Sequence, residues 1–291
     1  DIIIDFNKIF LNSGIFFNIK SEAKLNIRLV HDTSDNFTIF QNNFINFKKK
    51  CEVKLDDNFN LTNNSISNIN YNINVEKGAS VKHNIFQNFA NSNKLYLTSN
   101  TVCEKNSSYS QNTYNFSDGF VRNFHHVKLN GEFSKASLKG CFFLKDKNIC
   151  SNKTNIKHNA ENCISDQTYK GILNDHSKAS YYSNTFVSEN AQKTEGYQLS
   201  KGILLTDNCS FFSKPELRIF ADDVKCSHGS TIGPVDESAL YYLRSRGISK
   251  NEAMKMIISS FIEEDLQNLD KNIAERVSKN LSDYLTNLVN D

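Results

Sequence analysis

The chain has 291 residues, with 34 Lys and Arg against 32 Asp and Glu and a formal net charge of +2. So nearly balanced a chain has no bulk field for gripping a polyanion, which speaks against nucleic-acid binding. Hydrophobic residues make up 38%, too many for a disordered chain, and no run approaches the ~18 consecutive apolar residues of a membrane helix. The opening "DIIIDFNKIF" puts acids where a signal peptide would carry its basic stretch. Seven cysteines (Cys51, Cys103, Cys141, Cys150, Cys163, Cys209 and Cys226) form no CxxC pair. That odd number points to a reducing compartment rather than a disulfide framework. Asparagine is about one residue in seven; A+T-rich coding bias is the main expected cause, with a smaller structural use in turns.

From the amino end, a short pattern of polar, small, polar and apolar residues recurs. It reads Glu22-Ala23-Lys24-Leu25, Lys50-Cys51-Glu52-Val53, Gly78-Ala79-Ser80-Val81 and Asn106-Ser107-Ser108-Tyr109. It continues as Lys135-Ala136-Ser137-Leu138, Lys178-Ala179-Ser180-Tyr181 and Asn208-Cys209-Ser210-Phe211. The first small residues step by 28, and Ala136, Ala179 and Cys209 follow at 29, 43 and 30. The long interval is read as an insertion of half a repeat. Between anchors the local period is two: Val121, Asn123, His125, Val127 and Leu129 share one face, and Leu138, Gly140, Phe142 and Leu144 another. Short strands that cannot bury a face alone must stack. Stacking predicts a mainly β chain, a right-handed parallel β-helix with two strands per coil over residues 1–233. Few Asn-Gly or Asp-Gly turns disfavour the competing sandwich of hairpins.

The segment "KPELRIFADDVKCSHGSTIG", Lys214 to Gly233, sets Cys226 and His228 two residues apart. On a strand both side chains leave one face. Sulfur and imidazole are the ligands that iron, zinc and iron–sulfur clusters favour, yet two ligands make only part of a site. After Pro234 the texture turns helical, and residues 234–291 are read as a small carboxyl-terminal helical region. "DESALYYLRSR" carries acids first and arginines last, Gly247 stops it, and Ser249 with Glu252 opens the next helix as a capping box. Ile273, Val277, Leu281, Tyr284, Leu285 and Leu288 then recur at helical spacing. These stripes are expected to dock on the solenoid end or on another protein. No P-loop, GxGxxG, HExxH or GxSxG is present, so the chain is read as non-enzymatic.

The run "SKPELRIFADDVKCSHGSTIGPVDESALYYLRSRGI" resembles the SufD branch of the SufB/SufD family of iron–sulfur cluster assembly proteins. "YKGILNDHSKASYYSNTFVSENAQKTEGYQLSKGILL" upstream is similar too, above all at Ala191-Gln192-Lys193-Thr194 and Tyr197-Gln198. The resemblance implies a β-helix scaffold that pairs with a SufB-like subunit through the β-helix end. It implies a SufC-like ABC ATPase bound to the helical region, for which Asp236, Tyr241, Tyr242, Arg244 and Arg246 are the candidates. It also implies a transient iron–sulfur cluster or iron at the partner interface, met by His228 with Cys226, and no permanently bound cofactor. Members usually carry an amino-terminal helical domain, whereas strands are expected here at once, as in a truncated version. The family's H-x-x-P-x-C-x-S region reads His158, Glu161 in place of proline, Cys163 and Ser165. The compartment expected is a bacterial cytoplasm, or a plastid-type stroma once a targeting peptide is removed. A polysaccharide-active or adhesin-type β-helix, or an inert structural module, is the alternative.

Overall fold

The period of two winds the chain into a parallel β-solenoid of eight two-stranded coils. The computed structural model describes residues 7, 9–62, 64–89, 93–266 and 269–290. Odd strands form one sheet: β1 (Phe16–Ile19), β3 (Thr38–Phe47), β5 (Ile66–Val75), β7 (Asn93–Cys103), β9 (Gly119–Leu129), β11 (Ile149–His158), β13 (Lys178–Val187) and β15 (Ser210–Ile219). Even strands form the other: β2 (Lys24–Asp32), β4 (Glu52–Asn60), β6 (Ser80–Gln87), β8 (Ser108–Asn115), β10 (Lys135–Leu144), β12 (Ile164–Leu173), β14 (Thr194–Leu204) and β16 (Val224–Pro234). Every strand pairing is parallel, and Lys24 lies beside Glu52, Glu52 beside Ser80, and Ser80 beside Ser108. The 28-residue step is therefore one coil.

The anchors mark a corner. Glu22, Lys50, Gly78 and Asn106 each take a positive φ, 56–71°, turning the chain from the odd sheet into the even one. The small residue that follows points inward where a larger one would crowd the bend: Cys51, Ala79 and Ser107 are all buried. Ala136 does not join this column, because it pairs with Tyr109. Phe133 takes the left-handed corner there (φ 60°), and buried Ser134 holds the small position. Nor is the 43-residue interval an insertion. Ala179 pairs with Cys150 and Phe211 in the odd sheet, so the anchors change sheets, and one and a half coils separate them. Asparagine has a structural use beyond turns: Asn70 donates to Asn42 (2.9 Å) and Asn112 to Asn84 (3.0 Å) across neighbouring coils.

In the middle coils large inward side chains lie over glycines. Tyr169 lies over Gly140, and Phe142 over Gly171, its partner on the next strand. A Cβ on Gly171 would stand 2.2 Å from the Phe142 ring, which is held edge-on by Phe211 at 5.2 Å. Gly171→Ala is expected to cost about 1–3 kcal/mol by overpacking. In a Phe142→Leu background the same substitution should cost less, a coupling that urea denaturation of the four variants measures. An equal cost in both backgrounds would remove the ring as the cause.

Beyond Val235, α1 (Glu237–Ser245), α2 (Lys250–Leu266) and α3 (Lys271–Asn290) follow. Expected on the solenoid end or on another protein, α2 and α3 instead lie along the outer face of the even sheet. There Phe86, Tyr114, Cys141, Phe143 and Ile172 point outward and meet Ile258, Ile262, Ile273, Val277, Leu281, Tyr284 and Leu285 in a second core. Leu288 falls outside the described side chains. Polar ties fix the seam: Lys170 Nζ donates to the Phe261 carbonyl (2.9 Å), Tyr284 Oη to the Leu144 carbonyl (3.0 Å), and Lys54 pairs with Asp270 (3.0 Å). Among the described residues no helix is long and apolar enough to cross a membrane.

Candidate functional site: an open terminal rung

Among the described residues β15 and β16 each end their sheet, so each is paired with a strand along one edge only. Such an edge is a template for a strand from another chain. Exposed Phe212, Ile219 and Phe220 stand at the same end. On β16, Cys226 pairs with Gly196 and His228 with Gln198. Gly196 and Gln198 both lie on the buried face of β14, so the spacing of two brings Cys226 and His228 to one face, at the mouth of the bore.

The two residues differ in environment. Cys226 packs against Val187, Ala191 and Ala221. Its Sγ stands 3.3 Å from where a Cβ on Gly196 would be, so the glycine leaves room for sulfur. Burial pushes the Cys226 thiol up, outweighing the backbone of Gly196, which lowers it. It is therefore a thiol rather than the thiolate that ligation needs, and a metal would have to displace its proton. The His228 side chain is exposed and makes no hydrogen bond to a described residue. It lies within a strand, not capping a turn at Gly229. Behind them Gln167 and Gln198 both donate to Thr185 Oγ1 at 2.8 Å, a polar floor. Among the described residues no group of three or more His, Cys, Asp or Glu is placed to hold a metal ion. The pair brings two ligand-type side chains to one face.

Other sequence candidates lie apart from it. Asp236 caps α1, accepting from the Ser238 and Ala239 amides at 2.9 and 3.3 Å. No residue of α1 is buried; Tyr241 is 76% and Tyr242 57% exposed. Arg246 lies 5.2 Å over the Tyr242 ring, and Arg244 is exposed. Among the described residues, α1 and its C-cap Arg246 leave two aromatic rings and two guanidinium groups exposed. His158 is buried, bonded to Ser165 Oγ at 2.8 Å, and burial pushes its pKa down to about 4. Cys163 is likewise buried against Ser134 and the Gly131 carbonyl.

Sequence reading missed an ionic cluster inside the first coils. Asp57 Oδ1 meets His31 Nε2 at 2.7 Å, and its Oδ2 accepts from Tyr71 Oη at 2.6 Å and approaches His83 Nε2 at 3.5 Å. The signal was present: period two puts Asp57 on the inward face of Val53 and Leu55.

Comparison with known proteins matches residues 28–261 to the SUF system FeS cluster assembly SufBD core domain. The Escherichia coli iron–sulfur cluster assembly protein SufD is 37% identical over 138 residues, 47% of this chain and 33% of that protein. Plasmodium falciparum SufD is 29% identical over 224 residues, 75% of this chain and 15% of that one. The chloroplastic protein ABCI7 of Arabidopsis thaliana is 42% identical over 84 residues, 29% of this chain and 18% of its own length. The chain thus spans a third or less of the length of each of these relatives. With the core-domain match running over about four-fifths of its residues, and with the β-solenoid itself, the chain belongs to the SufB/SufD family of SUF-system iron–sulfur cluster assembly proteins.

Proposed function

We propose that the chain is a non-catalytic scaffold subunit, built from a β-helix domain (1–233) and a helical domain (234–291). A SufB-like subunit adds to the free edges of β15 and β16, and a SufC-like ATPase contacts α1 through Tyr241, Tyr242, Arg244 and Arg246. The nascent cluster is cargo at the first interface. The observation that carries this reading is the open terminal rung, where His228 and Cys226 stand on an unpaired strand. Main-chain pairing there supplies affinity, as in strand addition generally. A partner's strand would bring the missing ligands opposite His228. Incomplete ligation by this chain suits transfer, since cargo held by a partial set is free to leave. The compartment proposed is a bacterial cytoplasm or plastid-type stroma; relatives include a bacterial and a chloroplastic protein.

His228→Ala, in the complex with both partners, tests the site. Because the side chain is exposed and unbonded, folding and pairing should be unchanged while cluster yield, read as bound iron and sulfide, drops about tenfold or more. Normal yield from an intact complex would remove His228 from the site. Tyr241→Ala with Tyr242→Ala tests the ATPase contact without exposing the core under α2 and α3, as deleting 236–291 would.

A further inference from the structure

We infer that the outer face of the odd-strand sheet, opposite the helices, is a docking surface for a carboxylate-rich polypeptide segment. The inference goes beyond the scaffold reading and does not depend on it. Rows of outward residues run across β9, β11, β13 and β15 in register from Arg122, Phe124, His126 and Lys128. They carry Arg122, Lys128, Lys153, Lys157, Lys214 and Arg218 against one carboxylate, Glu216. Glu216 is already taken by Arg218 (2.6 Å) and Tyr182. Since the whole chain is only +2, these rows concentrate positive charge that the rest of the chain does not share.

The ammonium groups are held rather than neutralised. Lys153 Nζ lies 4.9 Å over the Phe124 ring and 5.4 Å over Tyr182, Lys214 lies 5.4 Å over Tyr182, and Lys157 lies 5.0 Å over Phe186. A ring face attracts a cation while leaving its charge uncancelled. Among the described residues, Lys128, Lys153, Lys157 and Lys214 have no ion pair with a carboxylate. His126, within these rows, registers the field: burial first, then Lys128, Lys157 and Lys153, push its pKa down.

The geometry selects the partner's chemistry. Single-stranded nucleic acid binds where bases find free aromatic faces, but here lysines already occupy Phe124, Tyr182 and Phe186, and Phe212 stands exposed at the edge strand. Point-charge ammonium groups suit carboxylates. An extended segment repeats its side chains every ~7 Å on one face, the same interval as the outward residues it would lie against. Long-range attraction of this kind speeds encounter and selects partners by charge.

The test is fluorescence anisotropy of the purified chain with a labelled oligoglutamate peptide and, separately, labelled oligouridine. Oligoglutamate should bind, and Lys153→Glu/Lys157→Glu/Lys214→Glu should weaken it about tenfold or more. The neutral set Lys153→Gln/Lys157→Gln/Lys214→Gln should give a smaller loss with less risk to the fold. Lys24→Glu/Lys105→Glu/Lys139→Glu, an equal change of charge at lysines that face Glu52, Glu132 and Asp166, should leave binding within about twofold. Equal losses in both charge-reversal triples would reduce the effect to net charge and overturn the proposal. So would absence of oligoglutamate binding, or tighter binding of oligouridine.

Discussion

Asp57→Ala is expected to cost about 3–5 kcal/mol of folding stability, the range for breaking a buried ion pair by removing one partner. Asp57 is fully buried, and burial alone would raise its pKa. The charge and hydrogen bonds of His31 and then His83 outweigh that and hold the carboxyl far below its usual range. For His31, burial lowers the pKa, but Asp57 and the Gln41 hydrogen bond outweigh it and raise the net value. Each group favours the charged form of the other. Removing the carboxylate leaves an imidazole stacked 4.4 Å from Phe59 without its counter-charge, and leaves Tyr71 Oη without its acceptor. Asp57→Asn keeps volume and an acceptor, so it should cost less, and the difference measures the charge. Urea denaturation of the three proteins decides it. A loss below about 1 kcal/mol for Asp57→Ala, the level of an ordinary substitution, would show that the cluster is not a structural tie.

How far the sequence speaks for itself depends on what sets each feature. The coil length is legible because a corner needs a left-handed residue followed by a small one, and Glu22-Ala23, Lys50-Cys51, Gly78-Ala79 and Asn106-Ser107 all meet that need. The pattern misleads where it is not unique. Lys135-Ala136 has the right residue types two positions late, and Lys178-Ala179 serves a strand start in the other sheet. Where α2 and α3 lie was legible only in part. An apolar stripe states that a face is covered, not by what. Yet Cys141-Phe142-Phe143-Leu144 breaks the alternation, since both faces of β10 are buried there. At the site, spacing placed Cys226 and His228 together; that β16 has a free edge depends on the whole stack of strands.

Acid should unfold this protein by a route that its interior histidines set. Burial pushes His125 down to about 3 and His158 down to about 4. Below pH ~6.5 the unfolded chain takes up protons at these positions that the folded chain refuses, so stability falls as pH falls. Each imidazole contributes ~1.4 kcal/mol per pH unit at full slope, and together they predict a loss of about 2 kcal/mol between pH ~6 and ~5. His31 has the opposite sign: its raised pKa gives stability that is complete below ~6.5 and lost as pH rises through the folded value. Asp57, held low, adds to acid sensitivity only below ~4, where the unfolded carboxylate protonates. Stability should therefore peak near neutrality and decline on both sides. Urea midpoints at pH 7, 6 and 5 measure the acid limb. His158→Gln can keep a hydrogen bond to Ser165 and cannot titrate, so it should halve the slope between pH 6 and 5. An unchanged slope in that variant and in His125→Gln would place the acid sensitivity elsewhere in the chain.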